Sequence, residues 1–269
     1  SVDFSHFLGN GRKNTEVLFT KEGKGAGYAR NIGLSHARGK WIIFADADDF
    51  FTANCFTILN EYMDSPHKVI YFNVRFVMSD DPSQESRRGT YYTNFFNDVN
   101  PENKLRYQSQ VPWGKMIRRS FLSTFHIQFD ETRIANDVYF SCLVGIYAPK
   151  VTTDRRIIYY CTESDQSLAM SKQDRESLII RFNASMKCNR LLRQEKIHYY
   201  LSPLPWCIPS AKTKEWLPAK YFFEYLFFFR LQAFKELYYA FSAILSHMNE
   251  PATKETDNQC NKKTTNLRE

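Results

Sequence analysis

The sequence predicts an α/β fold, a mainly parallel sheet flanked by helices and followed by a helical C-terminal extension. Apolar runs and amphipathic stretches alternate as strand, helix, strand, helix, strand up to residue 77. Residues 41–44, Trp-Ile-Ile-Phe, are apolar without interruption, as in a parallel strand buried on both faces. That run ends abruptly in Asp46-Ala47-Asp48-Asp49, and open α/β sheets bind ligands beyond the carboxyl ends of their strands.

Taken in order, residues 17–19 read as a short strand and the Lys-Glu-Gly-Lys-Gly-Ala-Gly segment after them as a glycine-rich loop. Residues 28–38 have helical spacing, with Gly39 where a helix ends. A helix over 54–63 and a strand over 68–77 follow, the latter rich in β-branched and aromatic residues. Residues 79–100 are polar and without period, which predicts a long surface loop or lid. A short helix is expected over 115–125, and a longer one starts near Asn136 or Asp137 and stops at Pro149. Residues 156–161 read as a strand and 174–193 as an amphipathic helix.

This pattern divides the chain into an α/β domain over 1–171, a helical aromatic and basic region over 172–248, and a polar tail over 249–269 that is expected to be disordered. The aromatic stretch at 221–245 either docks as ordinary amphipathic helices or lies in a membrane interface with its basic residues toward anionic head groups.

A length of 269 residues with 43% hydrophobic and 24% charged side chains excludes wholesale disorder and a polytopic membrane protein. The net charge of +7 suits a phosphate-bearing ligand, an anionic membrane surface or a nucleic acid, and does not choose among them. Six scattered cysteines without a Cys-x-x-Cys pair read as reduced and structural. The histidines lack paired spacing, and neither Gly-x-Ser-x-Gly nor a P-loop occurs, so zinc catalysis, nucleophilic hydrolysis and P-loop phosphoryl transfer have no motif. No uncharged apolar stretch reaches the ~18 residues needed to span a bilayer, which makes a cytoplasmic location the expectation.

At a strand end, Asp46 and Asp48 project to the same face. Two hard oxygen donors in this position suit Mg²⁺ or Mn²⁺ bound jointly with a diphosphate. The competing reading is an acidic turn capping the helix that begins near Asn54.

Residues 25–51, GAGYARNIGLSHARGKWIIFADADDFF, closely resemble the signature of family 2 glycosyltransferases with the GT-A fold. The resemblance implies that Asp46 and Asp48 form a DxD motif for the metal and the nucleotide sugar, with Asp49 in a secondary role. It implies that Arg30 approaches the nucleotide or its phosphates, the alternative being a structural pairing with a core carboxylate. Downstream, WGKMIRRSFL, IQFDE and ANDVYFS resemble the acceptor-side half of the same family. There Asp137 matches the general base, while the glutamate that usually precedes it is replaced by Asn136; a plain helix N-cap is the bland alternative for this pair.

Trp113 is expected either to stack on an acceptor sugar or to sit in the core, and Lys115 to offer a cation to the acceptor side. The segment Ser-Asp-Gln-Ser at 164–167 resembles the family's loop beyond the core. Family members open with a strand, a helix and a second strand ending in a DDGS-like motif, which the residues before Val17 do not supply. The implied activity is a metal-dependent, inverting transfer from a nucleoside-diphosphate sugar to a saccharide or lipid-linked acceptor, in bacterial surface polysaccharide synthesis, with Mn²⁺ or Mg²⁺ as cofactor and no nucleic-acid partner. The alternative is a truncated, non-catalytic remnant that binds a membrane or a protein.

Overall fold

The computed structural model describes residues 12–19, 23–86, 89–163, 174–207, 217–230 and 237. The chain divides into two compact units, Ser1–Leu217 and Pro218–Glu269. In the first, the elements run α1 (Gly25–His36), β1 (Trp41–Ile42), β2 (Phe50–Phe51), α2 (Cys55–Asn60), β3 (Val69–Met78), α3 (Gly89–Phe96), α4 (Pro101–Gln108), β4 (Lys115–Arg118), α5 (Arg119–Thr124), α6 (Asn136–Tyr147), β5 (Val151–Glu163), α7 (Arg175–Gln194) and α8 (Leu204–Cys207). The unit is an α/β fold, a sheet flanked by helices, as the sequence predicts; the sheet itself is mixed.

The sheet has the order β1-β4-β3-β5-β2. Its longest pairing, β3 with β5, is parallel and runs from Val69 opposite Val151 to Met78 opposite Glu163. The other three pairings are short and antiparallel. Because β1 and β3 are each antiparallel to β4, β1, β3 and β5 all run the same way, and their carboxyl ends share one edge of the sheet. The strand bearing the acidic turn differs from the buried parallel strand expected. Its paired part is only Trp41–Ile42, antiparallel to β4 at the edge of the described sheet. Trp41, Ile43 and Phe44 are half-buried and still pack against the core, which is why the run is apolar without being central.

That core includes Val69, Ile70, Phe72 and Val74 of β3, Met116 and Ile117 of β4, and Ile158 and Tyr159 of β5, with Phe140 and Val144 from α6. A second cluster, Val138 and Cys142 of α6 with Ala184, Cys188 and Leu192 of α7, packs these two helices of the first unit together. Helix starts follow local chemistry. Asp174 caps α7 by accepting from the Ser177 N–H at 2.8 Å, and Asn100 caps α4 from the Asn103 N–H at 3.2 Å, with Pro101 in the first turn.

Several expectations are corrected. Residues 17–19 form no strand. The segment expected to be a polar loop holds α3, because Tyr92, Phe95 and Phe96, at helical spacing, bury one face against the core. The helix expected over 115–125 starts as β4 and becomes α5 only at Arg119. Cys55, Cys142, Cys161, Cys188 and Cys207 are buried, in keeping with the structural role read from the sequence. No helix among the described residues is long and apolar enough to cross a membrane.

The second unit contains α9 (Ala219–Phe229). On it Tyr225 and Phe229 are buried, with rings 5.1 Å apart, while Phe223 and Phe227 are exposed. The loop at 164–167 and the tail at 249–269 lie outside the described residues.

Candidate active site

The carboxyl edge of β1, β3 and β5 carries the acidic turn, and the N-terminus of α6 arrives at the same place for a packing reason. Phe44, two residues before Asp46, meets Phe129 and Phe140 edge-on, with centroids 5.0 and 5.4 Å away. Phe129 and Phe140 stack at 3.9 Å, which fixes the segment before α6 to the helix itself. Aromatic pairs of this kind contribute ~0.5–1.5 kcal/mol each beyond their burial. Asn31 completes the arrangement, because its carboxamide pairs with the Phe129 backbone as a neighbouring strand would, accepting from the N–H at 2.8 Å and donating to the C=O at 3.0 Å.

Arg30, one residue earlier on α1, joins the two segments. Its guanidinium donates to Asp46 Oδ1 at 2.6 Å and to Asn136 Oδ1 at 2.9 Å. The acidic turn and the first turn of α6 are therefore bridged by one side chain. The structural pairing weighed for Arg30 is present, and its partner is the first aspartate of the motif. Asn136 is buried and also donates to the Thr132 carbonyl at 3.4 Å. Ala135, just before it, sits in the left-handed region at φ 53°, a conformation uncommon for a residue with a Cβ.

Asp137 follows in the first turn of α6 and is partly open to solvent. The protein mass around it pushes its carboxyl above the usual carboxylate range, and the positive charges of Arg30 and Lys115 pull against that rise. In the acidic turn, each aspartate has a different environment. Asp46 is engaged by Arg30, and Asp49 accepts from the Tyr159 hydroxyl at 2.6 Å and from the Thr162 N–H at 2.8 Å. Burial raises the Asp49 carboxyl above its ordinary value, against the lowering effect of those bonds. Asp48 is exposed, and its carboxylate accepts no hydrogen bond from the described residues.

Among the described residues, no group of three or more His, Cys, Asp and Glu could hold a metal ion alone. The donors present are hard oxygens: both oxygens of Asp48 and the second oxygen of Asp46. They suit a divalent cation only if phosphate and water oxygens complete its shell.

Trp113 and Lys115 are both buried. Trp113 is 5% exposed and packs against Phe76 and Tyr92 and parallel to Tyr159. Lys115 is fully buried, and its ammonium donates to the Ser109 and Val111 carbonyls. That burial pulls its pKa down to about 7, opposed by the negative charge of Asp137. Ser141, one turn along α6 from Asp137, also donates to the Val111 carbonyl at 3.0 Å. Sequence reasoning missed Asn31, Tyr159 and Thr162. Asn31 stood beside Arg30 in the motif, but a carboxamide that pairs with a backbone 98 positions away leaves no local signal.

Comparisons with known proteins follow this geometry. A crystal structure of residues 1–349 of S. aureus TarS in complex with UDP-GlcNAc matches with a TM-score of 0.49 at 19% identity, over 68% of this chain and 50% of that one. The same TarS segment in complex with UDP gives a TM-score of 0.46 at 19% identity, over 68% and 48%. A crystal structure of S. aureus TarS gives 0.46 at 17% identity, over 77% of this chain and 32% of that one. The chain thus spans half or less of the length of these structures. A comparison with curated proteins finds no match. Residues 4–125, somewhat under half of the chain and the part bearing Arg30, the acidic turn, Trp113 and Lys115, match the model of glycosyl transferase family 2.

Proposed function

We propose that the chain is a family 2 glycosyltransferase domain that moves a sugar from a nucleoside-diphosphate donor to a hydroxyl of a saccharide or lipid-linked acceptor, with inversion at the anomeric carbon. The observation that carries the reading is the Arg30 bridge, which ties Asp46 to the Asn136–Asp137 turn at the carboxyl edge of the sheet.

In this reading Asp48, with the free oxygen of Asp46, holds Mn²⁺ or Mg²⁺ together with the donor's diphosphate. When bound, the ion offsets the charge that develops on the departing phosphate oxygen. Asp137 accepts the proton of the acceptor hydroxyl as that oxygen bonds to the anomeric carbon and the bond from that carbon to the diphosphate breaks. A general base of this kind contributes ~10²–10⁴ in rate. A carboxyl held above its ordinary value is the stronger base once ionised. Arg30 keeps the two carboxylate-bearing segments at fixed separation, which pre-organises donor and base. Lys115 acts on Asp137 through its charge and not by touching the acceptor, and Trp113 supports the site from the core.

The test is binding and transfer with a panel of UDP, GDP, CDP and dTDP and their sugars in the presence of MnCl₂. One diphosphate is expected to bind only with metal, and Asp48→Ala to lose that metal dependence. Asp137→Asn is expected to keep nucleotide binding and lose transfer by at least ~10²-fold. Failure of the whole panel to bind the wild-type protein overturns the reading in favour of a non-catalytic remnant. Equal loss of binding and transfer in Asp137→Asn returns Asp137 to a structural cap.

A further inference from the structure

We propose, on the reading of residues 46–49 as the diphosphate and metal site, that Tyr159 and Thr162 of β5 are positioning residues that latch the acidic turn, and that Asp49 belongs to this latch and not to the ligand set. The Tyr159 hydroxyl stands between two parts of the turn. It accepts from the Asp46 N–H at 2.8 Å and donates to Asp49 Oδ2 at 2.6 Å. Three residues on, the Thr162 N–H donates to Asp49 Oδ1 at 2.8 Å, and the Thr162 hydroxyl donates to the Asp48 carbonyl at 2.9 Å. The turn closes on itself through the Asp49 N–H and the Asp46 carbonyl at 3.3 Å.

Both oxygens of Asp49 are therefore spent on β5. The backbone is gripped just before Asp48, at Asp46, and just after it, at the Asp48 carbonyl and Asp49. Asp48 alone presents its carboxylate outward from a backbone that cannot swing. A carboxylate that must meet a phosphate-bound cation has to be held to within about 0.5 Å, and a surface turn does not hold itself that well.

The latch is rigid because Tyr159 is itself fixed. Its ring is 1% exposed, lies parallel to Trp113 with centroids 6.1 Å apart, and meets Phe51 of β2 edge-on at 5.3 Å. Its neighbour Tyr160 points the other way and stacks on Phe50 at 4.9 Å. Alternation along β5 thus sends one tyrosine to the turn and the next to the opposite face. Trp113 acts on the site through Tyr159.

The test combines hydrogen exchange with nucleotide binding in full-length Tyr159→Phe, Thr162→Val, Asp49→Ala and Asp49→Asn variants, each first shown to unfold cooperatively. In Tyr159→Phe the Asp46 amide is expected to exchange at least ~10-fold faster, and the Kd for the Mn²⁺-dependent nucleotide of the panel to rise about tenfold, the scale of one hydrogen bond. Thr162→Val shifts that Kd in the same direction by less. Asp49→Ala weakens binding as Tyr159→Phe does, and Asp49→Asn, whose one carboxamide oxygen still accepts from the Thr162 N–H and whose NH2 donates to the Tyr159 hydroxyl, recovers part of the loss. Unchanged Asp46 exchange in Tyr159→Phe overturns the latch. So does equal loss of metal-dependent binding in Asp49→Asn and Asp49→Ala, because both remove the negative charge a cation ligand supplies, whereas only the carboxamide keeps part of the latch. If wild-type protein binds no member of the panel, the functional reading falls, while the exchange experiment still decides the latch.

Discussion

Arg30 holds two acceptors at once, Asp46 at 2.6 Å and Asn136 at 2.9 Å, with its guanidinium 5.5 Å from the Phe129 ring centre. A planar fork with fixed donors suits that task and a flexible ammonium does not. Arg30→Lys is therefore expected to keep the positive charge and lose the bridge. Stability should fall by about 1 kcal/mol, a small figure because the pair is partly solvated. Metal-dependent nucleotide binding should weaken by about tenfold, roughly 1.4 kcal/mol. Chemical denaturation and calorimetry check both, and wild-type behaviour in Arg30→Lys means that only charge matters there. The sequence placed Arg30 beside the site through its motif, but the motif does not say which acceptors a guanidinium reaches. It left Trp113 between the acceptor and the core, and put Lys115 toward the acceptor. Every residue of Lys115–Ile117 is buried, because β4 lies inside the sheet with helices over it, and a lysine on a four-residue strand gives no sign of which side is wet.

At the scale of elements, α1 and α6 approach the site through backbone contacts that only glycine allows. A Cβ on Gly27 of α1 would lie 2.1 Å from the Asp130 carbonyl oxygen and 2.9 Å from Asn136 Cβ. A Cβ on Gly145 of α6 would lie 1.8 Å from the Arg106 carbonyl oxygen of α4. Neither obstacle is a flexible side-chain end, so backbone must move. Gly27→Ala is expected to cost ~1–3 kcal/mol and to separate Arg30 from Asn136, lowering transfer more than an equally destabilising change on α7 does. Thermal unfolding together with initial rates checks this, and an alanine variant with unaltered stability would show that α1 and the Asp130 backbone are not in close contact. The glycine-rich motif was visible in sequence as a loop. Its role inside a helix was not, because the partner of Gly27 lies about a hundred positions away. In the same way α3 was hidden by its polar flanks, and only the spacing of Tyr92, Phe95 and Phe96 marks the buried face.

Across the whole molecule, the α/β alternation and the acidic strand end were legible because they are local patterns of apolar and charged residues. The antiparallel insertion of β4 between β1 and β3 was not, because pairing partners are set by tertiary packing and not by the strand's own composition. That insertion puts Lys115 under the sheet's functional edge, within electrostatic reach of Asp137, and gives the fold a pH dependence. Lys115 has a folded pKa of about 7 against an ordinary value of 10.5. Below pH 7 the group is charged in both folded and unfolded chains, and the full cost of burying the charge is present. Between those values the unfolded chain binds more protons, so the unfolding free energy gains from Lys115 as pH rises toward 10.5. Lys115→Met removes this slope: measured by urea unfolding from about pH 6 to 10, its stability relative to wild type is expected to decline steadily as pH rises above 7. The same variant takes a positive charge away from Asp137, whose carboxyl then rises further, so the acid limb of the transfer rate moves to higher pH. A constant stability difference across that range would place the buried ammonium in contact with water, and an unmoved acid limb would uncouple it from Asp137.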